Sequence, residues 1–187
     1  MKQTIQTQPR FRAVLFSALL FLSGCISERS LGPEVTERRS VGAFEAVKVQ
    51  NGIDLRITAG QSEHIEVKSA KNSIDDLKTE VEDGVLKIYF TGSWGLGRWG
   101  EVSVQGQHLS AIQASSGSDI DSETTITADH LRVKCSSGSD IRAKVQTGYL
   151  EVECSGGSDA VIGGSADELR SATSGGSDLK AFDLVVR

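Results

Sequence analysis

Four aspartates recur through the second half of the chain, Asp119, Asp140, Asp159 and Asp178, at intervals of 21, 19 and 19 residues. They close the turns "SGSD", "SGSD", "SGGSD" and "SGGSD", which begin at Ser116, Ser137, Ser155 and Ser174. A fixed period near 20 residues marks a repeat architecture in which each unit stacks on the last. Stacked so, the four carboxylates form a ladder along one edge, and two chemistries compete for it. Glycine-aspartate repeats can hold calcium, but those repeats are about nine residues long and supply ligands from both ends of a short turn. Here each unit brings one aspartate, and Asp121 is the only close addition. Serine and aspartate capping the backbone amides of a recurring turn is therefore the leading reading, with a cation ladder as the alternative. Repulsion between carboxylates about 4–5 Å apart is roughly 1 kcal/mol in water, which does not forbid the row.

Cys135 and Cys154 occupy the same register on adjacent units. Stacked neighbours fall inside the Cα window of a disulfide, about 4.4–6.8 Å. Ala114 and Thr173 fill the same column, however, which says "small and buried", so free thiols are the expectation. The stretch "TGSWGLGRWG", Thr91 to Gly100, holds both tryptophans, Trp94 and Trp99, with Arg98 between glycines. Aromatics on a glycine-rich loop serve at binding hot spots, so Trp94, Arg98 and Trp99 are candidate partner contacts. The competing reading folds the tryptophans back over the open end of the core. His64, His108 and His130 are scattered, and no "GxSxG", "HExxH", "CxxC" or Walker loop is present. No catalytic residue, cofactor site or metal site is assigned, and the expectation is a protein that is not an enzyme.

The elements that must hold these residues begin after a targeting segment. Lys2, Arg10 and Arg12 precede an apolar run from Ala13 to Leu22, with no acidic residue before Glu28. The run is too short to cross a bilayer as a permanent helix, and it ends in "LSGC", Leu22 to Cys25. This looks like a bacterial lipobox: residues 1–24 a signal peptide, Cys25 lipidated. Acyl chains on Cys25 would hold the protein on a membrane, which points to an outer-membrane lipoprotein at the surface or periplasmic face. The polar stretch up to residue 42 reads as a flexible tether, and residues 43–187 as one domain. The whole chain carries −5, and after cleavage −8, because three of the 20 basic residues are lost and all 25 acidic ones stay. A basic footprint for nucleic acid is absent.

From Phe44 onward apolar and polar residues alternate, as in strands. Ile53, Leu55 and Ile57 share one face, as do Ile65 and Val67, and Asp83-Gly84 is a hairpin turn. At most one short helical turn fits, near Ile74 to Leu77. In the second half, Ile141, Ala143 and Val145 alternate before Thr147-Gly148, and Leu150, Val152 and Cys154 alternate after it. The fold expected is all-β: a parallel β-solenoid with rungs of about 19–21 residues, stacked roughly 4.8 Å apart.

The stretches "FEAVKVQNGIDLRITAGQSEHIEVKS" and "LKTEVEDGVLKIYF", with the recurring "SGGSD", resemble the autotransporter-adhesin head GIN domain family from about Phe44 to the C-terminus. That family is found chiefly in envelope lipoproteins of Bacteroidota-type bacteria. The resemblance implies a right-handed parallel β-helix and an adhesive or structural role, and it carries over no catalytic residue. Chains of the family run on for another coil or more, whereas this one stops at "LVVR" in mid-rung. That implies either truncation or an edge near Val185 free for self-association. Adhesion or envelope scaffolding is the expected function, and glycan binding or cleavage through the Trp94/Trp99 loop is the alternative.

Overall fold

The computed structural model describes residues 32–187 apart from 59, 61–63, 93–97 and 107. Cys25 and Trp94, and with them the signal segment, lie outside the described residues. The strands of the first half are β1 Glu34–Ser40, β2 Ala46–Gln50, β3 Ile53–Thr58, β4 His64–Ala70, β5 Leu77–Glu82, β6 Val85–Phe90 and β7 Gly100–Gln105. Those of the second half are β8 Ala111–Ser115, β9 Asp119–Ser136, β10 Asp140–Ser155, β11 Asp159–Ser174, β12 Asp178–Lys180 and β13 Leu184–Val186. The one helical turn among the described residues is a 3-10 turn, Ile74–Asp76.

The alternation that wrote these strands also sorts their faces. In β3, Ile53, Leu55 and Ile57 are buried while Asp54 and Arg56 are exposed. Ile141, Ala143 and Val145 do the same in β10, followed by Leu150, Val152 and Cys154. One layer runs β5–β6–β2–β8 and continues into the second halves of β9, β10 and β11. The other runs β1–β4–β7–β3 and continues into the first halves of the same three strands, closed by β12 and β13. The apolar side chains of both layers meet in one core. Because the long strands pass from layer to layer, all thirteen form a single mixed sheet, nearly closed and barrel-like.

The right-handed parallel β-helix expected for the whole domain is thus corrected. β1 pairs antiparallel with β4, β4 with β7, and β5 with β6. For β5 and β6 the physical cause is local: a two-residue Asp83-Gly84 turn can join only antiparallel strands, since parallel ones need a long crossover. The period held only from about Ser110 onward, where β9, β10 and β11 do stack in parallel. Their register explains the uneven spacing of the motifs. Arg142 sits beside Asp121, 21 residues away, but Lys144 sits beside Thr125, 19 away. A bulge at 122–124 in β9 absorbs the two extra residues.

Part of the stretch expected as a tether is a strand. Within the segment 25–42, Glu34–Ser40 forms β1 along the full length of β4. The polar composition concealed it because an edge strand gains backbone bonds while burying little. Arg39 fastens it further, donating to the carbonyl of Ile74 at 2.9 Å and to that of Leu77.

Two glycines report how tightly the layers sit. Gly164, at φ +109°, lies against β10, where a β-carbon would come within 2.0 Å of the Val145 carbonyl oxygen. At Gly138, φ +72°, the added carbon would meet nothing within 4 Å. Gly138→Ala should cost about 1–2 kcal/mol from backbone conformation alone, and Gly164→Ala about 3 kcal/mol or more because overpacking adds to strain. Urea denaturation of the two variants measures the difference.

Candidate functional site

Each repeated turn lets the chain pass from one layer to the other by two consecutive left-handed residues. The pairs are Ser116-Gly117, Ser137-Gly138, Gly156-Gly157 and Gly175-Gly176, with φ between +58° and +77°. Glycine holds the second position every time, the conformation being costly for any other residue. Asn51-Gly52, at φ +72° and +67°, makes the same turn. The stretch "NGID" is therefore a fifth corner, with Asp54 beside Asp119 in register. Sequence reasoning missed it because Ile53 replaces the serine; the spacing of Gly52 to Asp54 was the available signal.

The serines before the aspartates are buried, and each satisfies a backbone amide of the preceding corner. Ser118 Oγ accepts from the Ile53 N–H at 3.1 Å, and Ser139 Oγ from the Ser118 N–H at 3.2 Å. Ser158 Oγ accepts from the Ser139 N–H at 3.1 Å, and Ser177 Oγ from the Ser158 N–H at 3.0 Å. The aspartates work in the opposite direction. Asp119 Oδ1 accepts from the Asp140 N–H at 3.1 Å, and Asp140 and Asp159 repeat this to Asp159 and Asp178 at 3.3 Å. A third ladder runs between them, from the Gly117 N–H to the Ser137 carbonyl at 3.1 Å and onward through Gly138 and Gly157.

Two carboxylates of this ladder face cations of the protein itself. Lys180 donates to Asp159 at 3.0 Å, and Arg142 lies 3.6 Å from Asp140 and 3.9 Å from Asp121. At the first corner the balance is reversed. Asp54, Glu101, Asp119 and Asp121 line a small cavity of about 120 Å³, with Arg56 as its cation. Burial, foremost, and then the charges of Asp119, Glu101 and Asp121 push the Asp54 carboxyl above its ordinary value, against Arg56. Asp159 moves the other way: the Lys180 hydrogen bond holds it below the usual range, helped by the Asp178 N–H. Among the described residues no group of three or more His, Cys, Asp or Glu is arranged to hold a metal ion.

The expectation of free thiols is corrected. Cys135 and Cys154 form a disulfide with Cα atoms 4.7 Å apart. In-register parallel strands hold neighbouring Cα atoms at this distance, inside the window for the bond. Closing a loop of 19 residues contributes about 3 kcal/mol in the chain-entropy account.

The tryptophan loop is described only at its ends. Arg98 turns inward: it pairs with Asp76, donates to the Thr91 carbonyl at 3.0 Å and stacks 5.3 Å over the Phe90 ring. Trp99 is half-buried, and its carbonyl accepts from the buried Ser69 hydroxyl at 2.6 Å. The structure therefore separates Arg98 from any outward-facing contact surface, and Trp94 lies outside the described residues.

A larger cavity lies elsewhere, on the edge opposite the repeated corners. It is a groove of about 690 Å³ crossing the rungs at Thr127–His130, Gln146–Gly148 and Ser165–Asp167, with His108 and Glu45 at one end. Its residues come from separate segments with no shared motif, so nothing in the sequence marked it. His108 Nδ1 lies 3.3 Å from the Thr127 carbonyl, and the His130 ring stands edge-on to Tyr149 with centroids 4.8 Å apart.

The domain is thus a barrel-like mixed sheet with self-satisfied corners and a polar groove. The chain belongs to the family described as "Putative auto-transporter adhesin, head GIN domain", whose model matches residues 43–187. That description is of cell-surface or envelope proteins. A crystal structure of a "putative adhesin" from Parabacteroides merdae superposes with a TM-score of 0.72 at 20% identity, covering 83% of this chain and 75% of that one. One from Bacteroides fragilis gives 0.75 at 16%, covering 82% and 73%. A "putative lipid binding protein" from Parabacteroides distasonis gives 0.59 at 15%, covering 82% and 75%. At these identities the likeness shows the fold alone. No functionally curated protein matches the chain.

Two predictions follow from the corner. Ser139→Ala leaves the buried Ser118 N–H without its acceptor and should cost about 1–3 kcal/mol in urea denaturation. Asp54→Asn should raise the thermal midpoint at pH 7, because a carboxyl with a raised folded pKa opposes folding once ionised. Asp159→Asn should lower it, because ionised Asp159 is favoured by the fold. The Asp54 effect should fade as pH falls through its raised folded value toward 3.8, and the Asp159 effect as pH falls below 3.8, both followed by thermal melts across pH 3–7.

Proposed function

We propose that this chain is a non-catalytic, lipid-anchored contact domain of the cell envelope, adhesive or scaffolding in role. Family membership over residues 43–187 carries the reading. The sheet surface supports it. Charges on successive rungs are matched: Arg132 with Glu151 at 2.7 Å, Lys134 with Glu153 at 2.7 Å, and Arg56 with Glu123 at 3.2 Å. Such a face suits many weak polar contacts better than one deep charged site, since exposed pairs contribute little energy individually. The lipobox supports an anchor at Cys25, and with β1 beginning at Glu34 only a few residues separate lipid from sheet. An outer-membrane lipoprotein with its domain at the surface or periplasmic face fits these features.

Self-association is part of the proposal. The second half of β11, from Glu168 to Ser174, pairs with β10, while β12 and β13 cover only the first half. Phe182, Val185 and Val186 are exposed beside it. A second copy adding to this edge would give concentration-dependent association, relieved by a lysine at Val185.

Cys25→Ser in the full chain is the test. The variant should leave the membrane fraction for the soluble one, and cells carrying it should lose the attachment to surfaces or to one another that cells with the native chain show. Equal membrane retention sinks the anchor, and equal attachment of cells with and without the protein sinks the contact role.

A further inference from the structure

The groove opposite the repeated corners differs from the charge-paired sheet face around Arg132 in how its charges are arranged. On the sheet faces, neighbouring rungs set opposite charges side by side, as with Arg132 and Glu151. In the groove the column reads Asp129, Gly148, Asp167. Thr147 pairs with Ala128 on one side and Ala166 on the other, and Tyr149 pairs with His130 and Glu168, which places Gly148 between the two aspartates. Their backbones stand two rungs apart, roughly 9–10 Å. Neither carboxylate has a bonding partner among the described residues.

Gly148 packs closely between them. A β-carbon there would lie 3.0 Å from the Asp129 carbonyl oxygen and 3.9 Å from Asp167 Oδ2. Along the groove stand the Gln146 amide and the His108 and His130 imidazoles, with the Thr127 and Ser165 hydroxyls nearby. His130 is braced by the edge of Tyr149, and His108 by the Thr127 carbonyl. The cavity, at about 690 Å³, is within the range of ligand clefts, about 300–1,000 Å³.

We propose that this groove binds a sugar chain, neutral or amino-bearing, laid across the rungs. Paired carboxylates and an amide accept hydrogen bonds from ring hydroxyls, and imidazole rings give both a polar edge and a flat face. Among the described residues no three His, Cys, Asp or Glu side chains are grouped to hold a metal ion, so a metal ion does not explain them. Glu45, Asp129 and Asp167 make the groove net acidic despite Arg187, which disfavours phosphorylated or uronic ligands. Few apolar side chains line it, which disfavours a peptide anchored by hydrophobic residues. The inference rests on the contact role proposed above and adds to its sheet faces one ligand groove.

Titration calorimetry on the purified full chain tests it, with hexamers of N-acetylglucosamine, glucosamine and glucose, and hexagalacturonate as the anionic comparison. At least one of the first three should bind saturably, and more tightly than hexagalacturonate. Asp129→Asn with Asp167→Asn should weaken that binding at least tenfold, while Asp178→Asn on the opposite edge should leave it unchanged. Because both aspartates are exposed and unbonded, the double variant should melt like the native chain. Binding by none of the hexamers, preference for the anionic one, or full affinity in the double variant overturns the groove. Attachment of cells unchanged by the double variant overturns it too, while leaving the contact role standing.

Discussion

Backbone amides buried at a corner cannot join a strand ladder, and every turn between the two layers of this domain creates several. An unsatisfied buried amide costs about 1–3 kcal/mol, so a stack of five corners stands only if each is answered. The answer is a pair of opposed ladders: serine hydroxyls accepting from the corner before, aspartate carboxylates from the corner after. Each of the three inner corners is thereby bonded to both neighbours by side chains as well as by backbone. The recurring motif is the record of that requirement, and glycine at its second position is the record of the left-handed turn.

The remainder of the architecture follows from keeping those corners in line. The disulfide between Cys135 and Cys154 ties two rungs just before their corners, where the inward column has room only for small residues. The bulge in β9 lets a rung with two extra residues rejoin the stack without shifting its corner. At the other end, β1 and β4 extend the layer antiparallel. These antiparallel pairings, with the β5–β6 hairpin, make the whole a mixed sheet that nearly closes on itself.

What the sequence made legible was whatever repeats or alternates. The strand faces, the Asp83-Gly84 hairpin, the short turn at Ile74 and the corner spacing could be read directly, because each follows from local backbone physics. The first corner escaped because Ile53 stands where the motif has serine. β1 escaped because "EVTERRS" has one apolar residue, and its stability comes from pairing with a strand some 30 residues on. The disulfide was weighed against a column of small residues, and composition could not decide between two thiols and a bond at 4.7 Å. The groove was invisible for a different reason: Asp129, Gln146 and Asp167 become neighbours only through the parallel register of three strands.

A rigid stack whose polar motif is consumed internally leaves function to the faces and the opposite edge, and this division can be measured. Amide hydrogen exchange at Ser118, Ser139, Ser158, Asp140 and Asp159, with and without millimolar calcium, reports whether the motif is structural. Protection approaching that of global unfolding, unchanged by calcium, is the expected result. Rapid exchange without calcium, slowed when calcium is added, would contradict it and make the repeated corner a ligand site.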